Sequence, residues 1–588
     1  MRSGVENGKI MHKHGHSIWP INSDDISWAA AAWEVYSVTG DKSFLKWAYN
    51  VIKNTSAEDY DINADQVTGL MHGGVQYSFS ESQFYPNWME YKDIYETVSL
   101  TSNVLYEHAF EILNDMGDEL DVSNNYGEKA QNLKDAINEA LWNERKGYYN
   151  QYTYLAAYPV RSPGIDNFGQ ALSVIWNIAD DNRAENLIMK TPITNFGVPT
   201  ASPAYSSLDR INLSEIMSPL MQAFWNLAAA KTENENMLRH GLGALYRGQA
   251  LTCCNKGGYN TFTGVQLGNV EGDMGSASGN VAMVFRVYAG MTFLPNGVEF
   301  NPMVPVFLTG KKEIKNFKYR QATLDITIEG TGNVIDKFTI DGKETHDNFI
   351  NGAITGRHAI VITMTNNNHA PQIITKGNNE FCIPTTPVAE WLNDSTRILN
   401  YNNDNTYRMV VNGQLRYTIG DTTFTRNDNK EQFSINSVVE IGKYALSYLS
   451  KPYFVMPHVA VLPVSQFATA GTSLLTSPKA KNAVETSTGK NGEITIKYVA
   501  PQGGDYFFDV RYSNGRSSNT CPLLSVTVNS HHQGTLVMPC RGESEWLNAG
   551  MSNLVQLQLL KGENTIVIKR IGNTDDPVLL HYARIIKK

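Results

Sequence analysis

Apolar residues recur at the period of an α-helix from residue 24 to residue 292, and short polar loops separate the segments. Residues 24–41 (DDISWAAAAWEVYSVTGD) predict a helix that begins at Asp24 or Asp25 and ends at Gly40, because acidic residues favour a helix start and glycine a helix end. A second apolar segment follows at once, which predicts a helix hairpin. The same pattern predicts three further hairpins and a final helix: 93–116 with 126–143, 164–180 with 182–190, 213–232 with 233–248, and 276–290.

The pattern changes at about residue 306, where apolar and polar residues begin to alternate. An alternation of period two predicts strands with one buried face, and Asp-Gly and Asn-Gly pairs between the segments predict tight turns. The clearest segments are 317–330, 333–344 and 358–365. Because 588 residues exceed the size of a single core, we expect a helical region followed by several β domains.

Composition limits the partners of the chain. A net charge of −9 argues against nucleic acid or an anionic membrane as the main partner, since both need a basic surface. No apolar run reaches the length of a membrane span, and residues 1–19 lack the apolar core of a signal peptide. The 29 Tyr and 10 Trp suit sugar binding by ring stacking, although aromatic side chains fill large cores equally well. The sequence gives no indication of the oligomeric state.

The cysteines and histidines predict no metal centre. Five cysteines cannot all pair, and only Cys521 and Cys540 lie close enough in sequence to share a module, so a disulfide is allowed there. The adjacent Cys253 and Cys254 are expected to pack in an apolar interior rather than to ligate a metal. Three alternating histidines would share one face of a strand, but they lack acidic or cysteine partners nearby: His12, His14 and His16.

The stretch 271–305 (EGDMGSASGNVAMVFRVYAGMTFLPNGVEFNPMVP) combines a Gly-rich polar loop, an apolar helix of small residues ending at Gly290, and a Pro-punctuated exit into strands. It resembles the last inner helix of the six-hairpin (α/α)6-barrel glycosidases, which include bacterial α-L-rhamnosidases, trehalases, debranching-type enzymes and disaccharide phosphorylases. The resemblance implies an α/α toroid. About nine helices are predicted where a closed barrel has twelve, so we expect an N-terminally incomplete copy.

The β segments extend the resemblance into four domains. Residues 1–297 would form the barrel and 298–375 the β-sandwich that follows it in such enzymes. Residues 376–463, with a Pro-rich entry before Trp391, resemble a fibronectin type III domain. In residues 464–588, GGDYFFDVRYSNG and LLKGENTIVIKRI resemble a carbohydrate-binding module of family 6 or 35. The resemblance implies that no cofactor is required, although a structural calcium ion is compatible with the last module.

Glycoside hydrolysis needs two carboxyl groups, one that protonates the leaving oxygen and one that activates water or attacks the sugar. The segment 77–110 contains the pattern Tyr-Pro-x-Trp-Met, which resembles the loop before an inner helix in these glycosidases. The resemblance implies an acid at Glu81 or Asp93 and substrate contacts from Tyr85 and Trp88. Ser78–Glu81 replaces the Asp-Trp-Arg-type stretch expected there, and helix capping is an equally good interpretation of Asp93.

Two further loops complete the implied site. Glu271 is the expected base and Asp273 an alternative, although Asp273 would equally cap the final helix. Arg161, Asp166 and Asn167 would contact sugar hydroxyls, with turn and cap chemistry near Pro163-Gly164 as the alternative. The His and Trp expected at the next inner helix are replaced in 211–220 (INLSEIMSPL), and Met274 stands where a Trp is expected.

The resemblance implies an inverting glycoside hydrolase that acts on an extracellular oligo- or polysaccharide, with a periplasmic or extracellular location. The altered pocket residues keep a second interpretation open, a degenerate barrel that binds carbohydrate without cleaving it. A sugar phosphorylase is less favoured, because no basic Gly-rich cluster is present to hold phosphate.

Overall fold

A computed structural model describes residues 1–10, 24–74, 85–205, 215–267, 272–366, 372–378, 381–426, 430–470, 473–477, 480–485, 492–516, 521–571 and 578–588. The first half of the chain is mainly helical and the second half consists of β-sheets. The described residues include ten α-helices: α1 (Trp28–Thr39), α2 (Lys42–Asn63), α3 (Tyr91–Tyr95), α4 (Leu100–Glu119), α5 (Tyr126–Leu141), α6 (Asn167–Ile175), α7 (Asp181–Lys190), α8 (Pro219–Lys231), α9 (Glu235–Thr252) and α10 (Met274–Ala282).

Local signals explain where many of these helices begin and end. The helix predicted over 24–41 is confirmed: a 3-10 turn (Asp24–Ser27) leads into α1, which ends at Gly40 with φ 70°. The side chain of Asp41 then accepts hydrogen bonds from the Ser43 and Phe44 amides and starts α2. Because both ends are set by neighbouring residues, the sequence pattern was sufficient to predict this hairpin.

The single helix predicted over 93–116 is wrong. It is divided into α3 and α4 by a short strand, Val98–Ser99, which pairs with Thr153 and Tyr152. The Thr97 hydroxyl lies 2.6 Å from the Ile94 carbonyl oxygen and 3.0 Å from that of Gly73, so its one proton is held between two acceptors at the break. Pairing with a distant strand therefore outweighs the local helix signal.

Short strands accompany the helices: β1 (Val5–Glu6), β2 (Lys9–Ile10), β3 (Val98–Ser99), β4 (Trp142–Asn143), β5 (Tyr148–Tyr149), β6 (Tyr152–Tyr154), β7 (Val160–Arg161), β8 (Ile165–Asp166), β9 (Ala201–Ser202), β10 (Ala204–Tyr205), β11 (Ile216–Met217) and β12 (Tyr259–Asn260). Three times the chain repeats one unit, in which a strand enters a helix, a second helix returns, and a second strand pairs antiparallel with the first: β3-α4-α5-β6, β8-α6-α7-β9 and β11-α8-α9-β12.

The N-terminal ends of α4, α6, α8 and α10 lie side by side, and we call this surface the capped end. The Thr101 hydroxyl at the start of α4 donates to Asp166 at the start of α6. The Thr200 amide donates to the Ile216 carbonyl oxygen just before α8 at 2.8 Å. A Cβ placed on Gly275 in the first turn of α10 would lie 3.1 Å from Leu220 of α8. Four helix starts thus meet at one surface.

The last helix begins at Met274 and changes to a π-helical turn, Met283–Tyr288, before the chain enters the first β domain. Gly290 has φ 60°, and a Cβ there would lie 2.0 Å from the Asn301 carbonyl carbon. Only glycine fits this exit. The core of the helical region is formed by large side chains from several hairpins, among them Tyr36, Phe110, Tyr149 and Trp225.

The next strands are β13 (Met291–Leu294), β14 (Gly297–Phe300), β15 (Lys312–Tyr319), β16 (Gln321–Gly330), β17 (Val334–Ile340), β18 (Lys343–Thr345), β19 (Phe349–Asn351) and β20 (Thr355–Thr365). They form a three-stranded sheet, β13-β14-β19, and a five-stranded sheet, β15-β16-β20-β17-β18, that share one core. The alternation predicted in 317–330 is confirmed, since every second residue of β16 from Ala322 to Ile328 is buried.

A second group of strands is β21 (Cys382–Ile383), β22 (Ala389–Trp391), β23 (Ser395–Ile398), β24 (Thr406–Val411), β25 (Gln414–Ile419), β26 (Thr423–Thr425), β27 (Ser434–Ile441) and β28 (Tyr453–Val455). They form the sheets β22-β23-β26 and β25-β24-β27-β28, while β21 pairs in parallel with β10 of the helical region. Strand β27 is buried on both faces because Val439 on one face packs with Tyr85 and Tyr154 of the helical region.

The last strands form the C-terminal sandwich: β29 (Val459–Pro463), β30 (Ala468–Ala470), β31 (Ser473–Ser477), β32 (Ala480–Glu485), β33 (Glu493–Ala500), β34 (Gly504–Ser513), β35 (Leu523–Val528), β36 (His531–Val537), β37 (Gly550–Met551), β38 (Val555–Leu559), β39 (Gly562–Ile571) and β40 (Leu579–Lys587). A seven-stranded and a five-stranded sheet enclose a core that includes Phe508, Val526 and Ile566. The allowed disulfide is not formed, since Cys521 and Cys540 are free thiols.

Candidate functional site

The capped end brings some of the predicted site residues together. Asp166, Asn167 and Asp273 stand at helix starts there, and Tyr85, Trp88 and Asp93 lie in the segment before α4. Five predicted residues lie outside the described part of the chain: Glu81, Glu271, His12, His14 and His16. The catalytic assignments of Glu81 and Glu271 therefore stay predictions.

Among the predicted carboxyl groups that the structure describes, Asp166 is the most buried, with 2% of its surface exposed. One oxygen accepts the Phe168 amide at 3.0 Å, which caps α6, and the other accepts the Thr101 hydroxyl. Burial raises the pKa of Asp166 to about 6, although the hydrogen bonds from Thr101 and from backbone amides oppose the shift. Asp166 can therefore exchange a proton near neutral pH, but both of its oxygens are already engaged.

Asn167 retains unused hydrogen-bonding capacity. Its side-chain amide donates to the Pro199 carbonyl oxygen at 2.7 Å and to the Ser202 hydroxyl at 3.3 Å. Its Oδ1 is buried and has no hydrogen-bond partner among the described residues. The Nε2 of Gln151 is likewise buried and has no hydrogen-bond partner among the described residues. Gln151 and Ser202 both lie beside Gly164. Buried polar atoms without partners are uncommon, so this pair marks the part of the capped end best suited to polar contacts.

Three other predicted residues make contacts that support helix ends. Asp93 accepts the Glu90 amide at 2.9 Å and pairs with Lys92 at 2.7 Å, so it caps α3. Asp273 accepts the Ser276 amide at 2.6 Å and caps α10. Arg161 donates to the Ala140 and Glu139 carbonyl oxygens at 2.7 and 2.8 Å, at the C-terminal end of α5. These are the capping roles that the sequence left open as alternatives for Asp93 and Asp273.

Tyr85 and Trp88 belong to an aromatic cluster rather than to an open platform. Tyr85 is 3% exposed, and its ring centroid is 5.0 Å from that of Tyr152. The indole Nε1 of Trp88 donates to the Leu449 carbonyl oxygen at 2.7 Å. Both side chains thus join the helical region to the β25-β24-β27-β28 sheet.

The cysteine pair expected in an apolar interior is found elsewhere. Cys253 is exposed and Cys254 is half-buried, so the expectation that both are buried is wrong. Cys253 has φ 51° and forms the C-terminal cap of α9, a position that faces solvent. Within the described ranges, no group of three or more His, Cys, Asp or Glu side chains could hold a metal ion. Among the helices described, none is both long enough and apolar enough to cross a membrane.

Sequence reasoning missed a second concave site, a cavity of about 320 Å³ between the helical region and the C-terminal sandwich. Glu96, which follows α3, lines it and accepts the Leu554 amide at 2.8 Å. Burial raises the pKa of Glu96 to about 7, while the charge of Lys92 opposes the shift. The only sequence signal was an acidic residue between Tyr95 and Thr97 in an otherwise apolar, β-branched segment.

An acidic residue with the opposite behaviour lines the same cavity. Asp65 lies 3.6 Å from the Nε2 of His72 and accepts the Thr68 amide at 2.7 Å. Burial alone would raise the pKa of Asp65, but His72 and the Thr68 donors outweigh it and hold that pKa well below its usual range. The cavity therefore contains one carboxyl group that is ionised and one that is close to protonation at neutral pH.

Comparison with known proteins gives similarity to carbohydrate-binding modules over about a fifth of the chain. No family model and no curated protein matches the sequence. A family 35 carbohydrate-binding module from Clostridium thermocellum is 19% identical with a TM-score of 0.20, over 22% of this chain and 97% of the module. A family 35 module from Cellvibrio japonicus Abf62 is 15% identical with a TM-score of 0.19, over 22% of this chain and 94% of the module. A CBM36-1 domain of a multidomain xylanase from the hindgut metagenome of Trinervitermes trinervoides is 14% identical with a TM-score of 0.18, over 22% of this chain and 98% of that domain.

Proposed function

We propose that this chain is a glycoside hydrolase of six-hairpin type, which cleaves a glycosidic bond in a complex oligo- or polysaccharide with inversion. The capped end is the observation that supports the proposal best, because four helix starts meet there. Glu271 precedes the start of α10 at Met274 by three residues in the sequence. The partial positive charge of a helix N-terminus favours an ionised carboxylate, which is the state a general base requires.

The proposal gives each predicted residue a role. Glu271 would activate water and Glu81 would protonate the leaving oxygen, with Asp93 and Asp273 as alternatives for the acid and the base. The resemblance assigns substrate contacts to Tyr85, Trp88, Arg161, Asp166 and Asn167, although the first four already use their side chains in contacts within the protein. Asn167 is the best suited of these five, because its buried Oδ1 has no hydrogen-bond partner among the described residues.

The test is hydrolysis of a panel of aryl glycosides and of plant and host oligosaccharides, measured by the release of sugar. Glu271→Gln and Glu81→Gln should each lower turnover about 10²–10⁴-fold on the substrate that the parent chain cleaves, because general acid–base help is lost. Glu329→Gln is the matched control, since Glu329 is an exposed carboxyl in the first β domain. An unchanged rate in Glu271→Gln would remove Glu271 from the site.

One observation favours a second candidate function, carbohydrate binding without cleavage. Asp93, Asp166 and Asp273 all use their carboxyl oxygens to cap helices. If these were the only carboxyl groups at the capped end, each would already be engaged in capping a helix, and no uncommitted acid–base pair would remain for the substrate. Glycan binding by the parent chain without release of sugar from any panel member would establish this second function.

The proposal also covers location and metals. A protein that degrades complex glycans is expected to act in the periplasm or outside the cell. A structural calcium ion in the C-terminal sandwich stays a prediction, and the described residues contain no group of three or more His, Cys, Asp or Glu side chains that could hold a metal ion.

A further inference from the structure

The cavity is formed by residues from both sides of one interface. On the helical side it is lined by the end of α2 and the loop after it, by Tyr95 and by Glu96. On the other side it is lined by β36 and β38 of the C-terminal sandwich. Two contacts join the same two regions: Arg541 pairs with Glu90 at 3.1 Å, and the Leu554 amide donates to Glu96. The two regions are thus already docked around the cavity.

Each side contributes an imidazole with an unused nitrogen. The Nδ1 of His72 and the Nε2 of His532 are buried and have no hydrogen-bond partner within the described chain. Burial is the main cause that lowers the pKa of His532, so this ring is neutral at physiological pH. A neutral imidazole offers one donor and one acceptor, and buried polar atoms are normally satisfied by protein, water or ligand. Two such atoms at one cavity indicate a polar occupant.

The charges at the cavity restrict what that occupant can be. Asp65 and Glu96 are acidic, and none of the described lining residues is a lysine or an arginine. An anionic ligand would therefore lie beside carboxyl groups, and His72, which lines the cavity, already pairs with Asp65. The other polar lining groups are uncharged amides and hydroxyls: Gln66, Tyr95, Gln533, Thr535, Asn553, Gln556 and Gln558. Such groups suit a ligand that carries hydroxyls and no charge.

We propose that this cavity is a second binding site that holds one neutral sugar ring between the helical region and the C-terminal sandwich. The volume of about 320 Å³ lies at the small end of ligand pockets, which suits a single ring rather than a chain. The inference rests on the proposed function only in taking glycans as the ligand class. Hydroxyl groups of the ring would pair with His72 and His532, and the bound sugar would contact both regions at once.

The test is calorimetric titration of the full chain with single neutral sugars (glucose, galactose, mannose, xylose, arabinose and rhamnose), with glucuronic acid and glucosamine as charged probes. His532→Ala should weaken binding of the neutral sugar about tenfold, because it removes one or two hydrogen bonds. His531→Ala is the matched control, since His531 is the exposed neighbour on β36. Ala156→Trp should fill the cavity and abolish binding, and Ala353→Trp, at an exposed turn, should not.

The outcomes separate clearly. Binding of a neutral sugar that is lost in Ala156→Trp and weakened in His532→Ala, but kept in both controls, supports the site. Neutral-sugar binding that both cavity variants leave intact would place the sugar elsewhere and overturn the proposal, as would no binding of any neutral sugar. A preference for glucuronic acid or glucosamine would overturn the neutral ligand class. Circular dichroism melting identifies any variant that fails to fold. If Ala156→Trp does not fold, the result for His532→Ala tests the proposal.

The same titration with Glu271→Gln distinguishes this inference from the proposed function. That variant should lose hydrolysis and keep binding of the single sugar at the cavity. If the parent chain hydrolyses no substrate but binds the single sugar at the cavity, the proposed hydrolase function is overturned and the cavity site stands. If it hydrolyses a substrate but binds no single sugar at the cavity, the cavity site is overturned and the hydrolase function stands.

Discussion

The two candidate sites, the capped end and the cavity, each contain a carboxyl group with a raised pKa, Asp166 and Glu96, and their surroundings differ. At the capped end both oxygens of Asp166 accept hydrogen bonds, from the Phe168 amide and the Thr101 hydroxyl. In the cavity one oxygen of Glu96 accepts the Leu554 amide, and the other oxygen makes no hydrogen bond with the described residues. Burial raises the pKa of Asp166 to about 6 and that of Glu96 to about 7. A raised pKa therefore does not distinguish a carboxyl group that supports the fold from one that can bind a ligand. The number of carboxyl oxygens without a hydrogen bond does distinguish them.

The largest effect is expected at Asp166. Asp166→Ala should lower the free energy of unfolding by about 2–4 kcal/mol, because it removes a helix cap and leaves the buried Thr101 hydroxyl unpaired. Asp166→Asn keeps an acceptor for the Phe168 amide and should lose much less. Urea unfolding followed by circular dichroism measures both values.

Activity sharpens the same comparison. If Asp166 only supports the fold, Asp166→Asn should keep most of the turnover of the parent chain on its substrate. A loss of turnover in Asp166→Asn with unchanged stability would instead make Asp166 part of the reacting site, and the contrast with Glu96 would not hold.

A smaller effect is expected at Asp273, which is half-buried and caps α10 with one hydrogen bond. Asp273→Ala should cost about 1 kcal/mol of unfolding free energy, and Asp273→Asn almost nothing, because Asn caps helices as well as Asp does. Turnover of Asp273→Asn decides between capping and catalysis: a fall of the size expected for Glu271→Gln would make Asp273 the base.

Local features of the fold were predictable and distant ones were not. The first hairpin follows from Asp41 and Gly40, which set its ends within a few residues. The break between α3 and α4 depends on pairing of Val98 with Thr153, which no local pattern contains. A prediction from helix propensity alone therefore gives one helix where the tertiary structure has two, α3 and α4.

The candidate site shows the same limit. Capping by Asp273 could be foreseen from its position, because an N-cap bonds amides two or three residues ahead, and Asp93 stands at the third helical position, from which a side chain reaches back to the N-cap amide. The contact of Arg161 with the end of α5 could not, and neither could the burial of Glu96, whose partner Leu554 is supplied by the C-terminal sandwich. The sequence predicts the hydrogen bonds that a side chain makes with residues near it in the chain. Whether that side chain can also bind a ligand depends on which distant segments pack against it.

The last effect is expected at Glu96, and it depends on pH. Burial is the main cause that raises the pKa of Glu96 to about 7. The nearby charge of Asp93 adds to this shift, whereas Lys92 and His72 oppose it. The folded state therefore binds a proton more tightly than the unfolded state does. This contribution to stability is complete below the ordinary carboxyl pKa of about 4.5 and is lost as the pH rises through about 7.

Glu96→Gln keeps an acceptor for the Leu554 amide and removes the titration. Its melting temperature should match that of the parent chain near pH 4.5 and exceed it at pH 8. The difference in melting temperature at pH 8 reflects the raised pKa of Glu96. Thermal unfolding at the two pH values measures it. If the parent chain were instead the more stable at pH 8, Glu96 would be an ionised group held by Lys92 and His72, and the cavity would suit a cationic ligand better than a neutral sugar.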